Sequence, residues 1–449
     1  MSATDIIVPS SLPQEMNYQL PASLPSAKTY EVRVQPVNSQ TFSGAGGAVV
    51  QFDVPCGKRG AYLDTSTTYV KFKATFTHAG AAGTDYSYLL GSGYSYFNKA
   101  EVYGNNSVLL ESINEHGVLA NMMCNLQLNA SDKTGLAPGF GFNDNVVYAQ
   151  SNCGHQINYD TLNALTFTYA MPLIGILGSG TEKFFPIGDI YGLRYELTCD
   201  AYANITAGIT VNKVNGLTLT EFELCGQVVE LDATPQSMIE MANPNVIHIR
   251  SNSYRTATNF LSASSTGLQD LLIGTRVSSL KSIYATFSPS NAPEGKFSSV
   301  CPNLSQGSCF VLAGQNLPQR TLNPVNHPAD SFMEVQKALG ALSSTQFNGC
   351  TNKRAYNTSS TAQGQMLAYN NVAASVLSNP SSFILGVNTE LVAHRGGLLS
   401  GININTSPSF LRCQITSALS AFTHTVYIFS FHDVILEIDR QSKSIVSKF

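Results

Sequence analysis

Residues Thr166–Thr198 read TFTYAMPLIGILGSGTEKFFPIGDIYGLRYELT. Three readings compete for this stretch: a membrane-seeking apolar run (AMPLIGILG), a glycine-rich phosphate loop (GILGSGTEK), or two strands joined by a turn. The first fails on length. AMPLIGILG is nine residues with Pro172 inside it, and a helix needs about 20 apolar residues to cross a bilayer. The second fails on spacing. A phosphate-cradling loop needs G-x-x-x-x-G-K-[ST] at the start of a helix. Here Gly175, Gly178 and Gly180 precede Thr181-Glu182-Lys183, and no long helical pattern follows. The third reading survives. The glycines relieve a turn, and Pro172 and Pro186 mark strand ends or edges, where a missing N–H costs little. The segment closes on the alternating LRYEL.

Strand patterns dominate outward from there. In Tyr69–Thr77 (YVKFKATFT), Val70, Phe72, Ala74 and Phe76 share one face and Lys71, Lys73, Thr75 and Thr77 the other, the period of a half-buried strand. Tyr30–Gln35 (YEVRVQ) alternates likewise. Ala100–Ile113 reads as a hairpin around an Asn-Asn turn. Leu217–Leu224 slips phase between Leu219 and Phe222, which predicts a bulge. Phe422–Asp439 reads as a long pair of strands. Two amphipathic helices interrupt. Asn114–Leu128 puts Val118, Leu119, Met122 and Leu126 on one stripe, and Asp330–Leu342 does the same with Phe332, Val335, Leu339 and Leu342. Asp330 or Ser331 is expected to cap the second helix, with Gly340 near its end.

These features recur. Strands begin near Tyr30 and Val246, and helices near Asn114 and Asp330, each pair about 216 residues apart. The second half of the opening stretch has a weak echo at Gly401–Thr416 (GININTSPSFLRCQIT). Each half ends in a long β segment, Leu217–Leu231 and Phe422–Ile438. The order is that of one duplicated β-sandwich. The expected organisation is an extended arm over 1–27, a first sandwich over 28–231, a linker over 232–245, a second sandwich over 246–440 and a tail over 441–449. The fold class is all-β, with two consecutive β-sandwiches and short inserted helices.

Composition narrows the function. The chain has 449 residues, too many for one ordinary core. Apolar residues make up 43%, but charged residues only 12%, about half the usual share, so much of the surface must be covered by small polar residues or by other protein. The net charge is -4 and no Lys/Arg run would track a phosphate backbone. The nine cysteines lack C-x-x-C spacing and read as free thiols. No secretory signal is visible in the first 21 residues, so the sequons at Asn129 and Asn204 read as chance. Among the eight histidines the nearest approach to a ligand pair is Cys153-Gly-His155, in an expected loop. Glu437 and Asp439 alternate with Ile438 as a solvent or subunit face. Tyr427, Phe429 and Phe431 form a buried strand face, not a base-stacking platform, because interleaved basic residues are missing. No G-x-S-x-G nucleophile motif occurs. No catalytic, cofactor-binding or metal residues are assigned, no cofactor is expected, and an enzyme is not the expected class.

Three stretches carry a resemblance. FTYAMPLIGILGSGTEKFFPIGDIYGLRYELT is similar to an apolar Pro-Leu segment, a lysine, then Pro-Ile/Leu-Gly and an alternating strand in the double jelly-roll major capsid proteins of tailless icosahedral DNA viruses, the lineage of adenovirus hexon, virophages and polinton-like viruses. PADSFMEVQKALGAL resembles that family's second-half helix, and HTVYIFSFHDVILEIDRQSKSIVSKF its closing strands. The resemblance implies two consecutive eight-stranded jelly-roll β-sandwiches in each chain, and a homotrimer whose six jelly rolls make a near-hexagonal block, tiling a virion capsid with neighbouring capsomers, vertex (penton) proteins and minor capsid proteins, assembled in the host cytoplasm or nucleus. Loops closing the sandwiches are expected at Ala79–Gly93, Asn129–Asn163, Ser288–Asn326 and Ser343–Pro380, the last two projecting outward. Residues 1–27 hold no Lys or Arg before Lys28. Direct, sequence-specific nucleic-acid binding is therefore not expected, and the inner surface is expected to face a membrane or other proteins. The alternatives are a single-jelly-roll coat protein of another virus, and a β-sandwich lectin or adhesin, which the missing signal and unpaired cysteines disfavour.

Overall fold

Period-two alternation builds this molecule, and its clearest case lies at the centre of the first core. A computed structural model describes residues 27–79, 86–143, 153–158, 165–178, 181, 183–208, 214–290, 296–304, 306–340, 356, 382–390, 401–415 and 423–449. In strand β3 (Ala61–His78), Val70, Phe72, Ala74 and Phe76 are at most 1% exposed, while the lysines and threonines between them reach solvent.

The first unit has eight principal strands: β1 (Ala27–Val34), β2 (Val49–Val54), β3, β4 (Phe97–Tyr103), β5 (Leu109–Asn114), β6 (Leu165–Pro172), β7 (Leu193–Cys199) and β8 (Val214–Leu231). They form two antiparallel sheets, ordered β1-β8-β3-β6 and β2-β7-β4-β5. The second unit has β9 (Val246–Leu261), β10 (Gly267–Ile273), β11 (Leu280–Pro289), β12 (Ser308–Leu312), β13 (Gln315–Leu322), β14 (Ile384–Asn388), β15 (Ser409–Ile415) and β16 (His424–Asp439). Its sheets run β9-β16-β11-β14 and β10-β15-β12-β13. Adding eight to each strand number of the first unit reproduces the second. This two-sheet arrangement of eight strands is a jelly roll, and the chain contains it twice. Helix α1 (His116–Gln127) follows β5, and α3 (Pro328–Ala338) follows β13, the matching place.

The phase slip in Leu217–Leu224 is a bulge. The β8–β3 register shifts between Thr220 and Glu223, and Glu221 takes φ 53°. The extra residue lets Leu219 and Phe222 both face inward, at 0% and 1% exposure. The Asn-Asn hairpin joins β4 to β5. In α1, Val118, Leu119, Met122 and Leu126 are buried as expected. In α3, Val335 is buried, with Phe332 and Leu339 packed against the core; Leu342 lies outside the described residues.

Several expectations change. The opening stretch is not a hairpin: β6 pairs β3 and β7 pairs β2 and β4, so the segment crosses from one sheet to the facing one. Its crossing holds Ile176, Leu177, Phe185 and Ile190 in the core at 0–1% exposure. Phe422–Asp439 carries one continuous strand, β16, rather than two, pairing along its whole length with β9. Ser288–Asn326 is not one loop, because it contains β12 and β13. Asn129–Asn163 contains a short helix (Ala130–Gly135) and a strand (Cys153–Asn158), and Ala79–Gly93 contains a strand (Tyr86–Leu90). The segment expected as a linker folds into helix α2 (Ala233–Ala242), and the expected tail carries β17 (Ser444–Lys448), which pairs β16. Helix α3 begins at Pro328, two residues before the expected caps. Proline's fixed φ suits a first helical turn, and Asp330 instead supplies that turn's negative charge. Residues 1–26, and 343–380 except Tyr356, lie outside the described residues.

Candidate assembly surfaces

The residues singled out for ligand chemistry are occupied by structure. His155 stacks on Phe167 with ring centroids 4.8 Å apart, and its Nδ1 lies 3.4 Å from the Tyr169 hydroxyl; the Cys153 side chain is outside the described set. Burial holds His116, His424 and His432 down to about 4, so each is neutral near pH 7. Glu437 pairs with Lys448 across β16 and β17. Asp439 accepts hydrogen bonds from the Ser442 hydroxyl and the Gln441 amide, closing the turn between those strands. Among the described residues no three His, Cys, Asp or Glu side chains group as a metal site, and no helix is long and apolar enough to cross a membrane. Seven described cysteines are free thiols. Tyr427 and Phe429 are buried and Phe431 half-buried. Desolvation, then Glu115 and Asp200 of the first unit, raise the Tyr427 hydroxyl, so the neighbouring unit approaches this sheet face.

The junction between the units is a polar site built on a buried, hydrogen-bonded carboxyl. Its centre is Glu111 on β5, 3% exposed. Glu111 accepts hydrogen bonds from the Ile176 amide (3.0 Å) and from the Ser253 hydroxyl on β9. Desolvation pushes this carboxyl up to about 7, opposed by those two hydrogen bonds. A Cβ on Gly175 would lie 2.3 Å from Glu111 Oε1, and Gly175 adopts φ +90°, so glycine is required on both counts. Thr181 donates to the Ile176 carbonyl (2.7 Å), and its hydroxyl lies 2.8 Å from that of Ser251. On the other face of β9, Thr256 donates to the Asn114 carbonyl at 2.7 Å. The first unit thus clasps the β9 edge from both sides, and the turn of the opening stretch supplies half of the clasp.

Charges close the rest of this seam. Lys296, beyond β11, reaches Asp200 (2.5 Å) and Glu115 (3.2 Å) of the first unit. Arg440 lies 3.4 Å from Asp189 and 3.2 Å from Glu240. Asn121 of α1 donates to the Phe297 carbonyl at 3.2 Å. The sequence reading missed all of these. Their partners come from opposite halves of the chain, and no local pattern marks them.

Two edges are left over. Within the chain, the β5 edge of the first unit meets the β9 edge of the second. The corresponding β1 and β13 edges carry no further strand among the described residues, and both strands are largely exposed. The outer sheet faces also differ. Arg194 on β7 binds Asp53 on β2 (2.7 Å), and Arg412 on β15 binds Asp270 on β10 (2.9 Å), the same pair at the same place in each unit. Around it the first unit carries Glu196, Glu101 and Lys99. The second carries Leu268 and Leu272, 55% and 60% exposed, with Phe260 nearby at 70%.

No protein-family model matches the chain, and no curated protein matches it. Solved structures do. VP54 of PBCV-1, as fitted into a cryo-EM reconstruction of the virophage Sputnik, superposes with a TM-score of 0.59 at 9% identity, over 96% of this chain and 98% of that one. The Faustovirus major capsid protein gives 0.58 at 9% identity, over 95% and 92%. The mavirus major capsid protein gives 0.51 at 12% identity, over 100% and 96%. Identity this low speaks to architecture, and the architecture agrees along nearly the whole of each chain. The protein has the double jelly-roll fold of these viral major capsid proteins.

Proposed function

We propose that this chain is the major capsid protein of a tailless icosahedral DNA virus, a structural protein of the virion that trimerises into pseudo-hexagonal capsomers. One observation carries the reading. The junction inside the chain joins a β5 edge to a β9 edge, and among the described residues the repeat-equivalent β13 and β1 edges carry no further strand. A head-to-tail contact of β13 on one copy with β1 on the next repeats the internal junction. Such heterologous contacts make a closed ring when the rotation closes, and three copies give six jelly rolls. The units suited to this role are 28–231 and 246–440, joined through α2. The partners follow from the role: neighbouring capsomers, vertex and minor capsid proteins, and a membrane or protein layer beneath.

The test is oligomeric state together with cross-linking. Light scattering is expected to give three times the 48.2 kDa chain mass. Cysteines placed at Thr29 or Glu31 and at Gln319 or Thr321, all exposed, are expected to give an oxidised trimer band that neither single variant forms. A stable monomer at capsid-forming concentrations would overturn the function. A trimer that no edge pair cross-links would overturn the edge assignment alone.

A further inference from the structure

The first unit contains a cavity that neither the core nor the junction uses. It lies between the two sheets at the open β1 edge, has a volume of about 110 Å³, and is walled by Val32, Val34, Val54, Leu63, Leu224 and Val228. Val32 of β1 faces Gly226 of β8 in the ladder. Thr68 and Leu63 close on that glycine, where a Cβ would stand 3.0 Å from Thr68 Cγ2 and 3.1 Å from Leu63 Cδ1.

The polar groups around the cavity decide what it takes. Inside, the Thr68 hydroxyl donates to the Thr65 carbonyl (2.7 Å) and contacts the Leu177 carbonyl, leaving it no proton to offer a guest. The thiols of Cys56 and Cys225 are held protonated by burial, Cys56 pushed up to about 12. At the mouth, the Lys58 ammonium lies 2.6 Å from Glu230 and 5.7 Å from the Tyr30 ring centroid. The mouth is polar, but its one cation is already paired. An apolar cavity of 150 Å³ stays dry and accepts benzene. By that measure this one, at about 110 Å³, accepts roughly four carbons of a chain at its deep end.

The geometry points to a binding site for the hydrocarbon tail of an uncharged single-chain lipid or alcohol, its tail between the sheets and its hydroxyl at the Lys58–Tyr30 mouth. The site opens at the same β1 edge that the proposed ring contact uses, and the two readings are tested separately, this one by ligand binding and that one by cross-linking. The test uses the purified full chain and three probes at matched concentration: 1-octanol, octanoate and octane-1,8-diol. Octanol is expected to raise the thermal midpoint saturably, by about 1–3 °C, and to slow labelling of Cys56 and Cys225 by a small thiol reagent at least fivefold, leaving Cys199 unaffected. Octanoate is expected to bind at least tenfold more weakly, because its charge finds no free cation. The diol is expected to bind at least tenfold more weakly, because burying its second hydroxyl costs desolvation that the nearby acceptor, the Thr68 oxygen, returns only in part. Ala61→Leu and, independently, Val34→Phe extend wall residues into the space, and either folded variant is expected to lose the octanol effects. No saturable response to octanol, equal binding of the diol, or full octanol binding by a folded filled variant would each overturn the site.

Discussion

Phe72→Ala is expected to lower the unfolding free energy by about 3–5 kcal/mol, the usual cost of deleting a fully buried aromatic ring. Phe72 is 0% exposed at the centre of β3. Its ring stands 5.1–5.3 Å from those of Tyr96, Phe97, Tyr169 and Phe222. These neighbours come from both sheets, so the loss removes the contact on which the two layers meet. The Tyr96 hydroxyl also donates to that of Tyr169 at 3.0 Å beside it, and a cavity there would disturb a buried hydrogen bond. The neighbouring Lys73→Ala serves as a control. Lys73 points outward and pairs with exposed Glu221 at 3.0 Å, so its removal is expected to cost at most about 0.5 kcal/mol. Urea denaturation followed by far-UV circular dichroism measures both. A Phe72→Ala loss below about 1 kcal/mol would mean that the ring is not part of the core.

Glu111→Gln is expected to stabilise the protein above pH 7 by about 2–3 kcal/mol, and to have little or the opposite effect near pH 4.5. The folded carboxyl is raised from 4.5 to about 7. Between those values the folded chain keeps a proton that the unfolded chain has released. Stability therefore falls with rising pH across that window, by about 1.4 kcal/mol per unit, and the contribution present below 4.5 is gone above 7. A glutamine carbonyl keeps the Ile176 amide satisfied and its NH₂ donates to Ser253, without a charge to desolvate. Denaturant unfolding at pH 5 and pH 8.5 distinguishes the outcomes. An equal change at both values would show that Glu111 does not titrate across the window. Because Glu111 joins β5 to β9, the same window should loosen the junction of the wild-type chain.

The duplicated order was legible because both copies keep it and because most strands alternate. Two stretches hid their structure for definite reasons. β12 is buried on both faces and β13 lies exposed at an edge, so neither shows period two, and together they looked like loop. β16 looked like two strands because its outer face, around Tyr427 and Phe429, is as apolar as its inner one. Glu115 and Asp200 of the first unit, which pair with Lys296, lie close enough to raise the Tyr427 hydroxyl, so the first unit approaches that end of the strand. The clasp at Glu111 was invisible for a different reason. Glu111 in LLESI reads as an ordinary outward residue, and its partners lie 65 and 142 positions away. Nothing local distinguishes a carboxyl bound for a seam from one bound for water.

The unlike outer faces of the two units bear on orientation. Both frame the same Arg–Asp pair, one with charge and the other with exposed leucines. In a ring of three such chains the backbone would repeat six times while the surface chemistry repeated only three. Turning that ring by one jelly roll would preserve its outline and exchange every leucine-bearing side for a charged one. A hexagonal tile of this kind carries a mark on alternate sides, so a neighbour can match it by chemistry where shape alone leaves two placements equal.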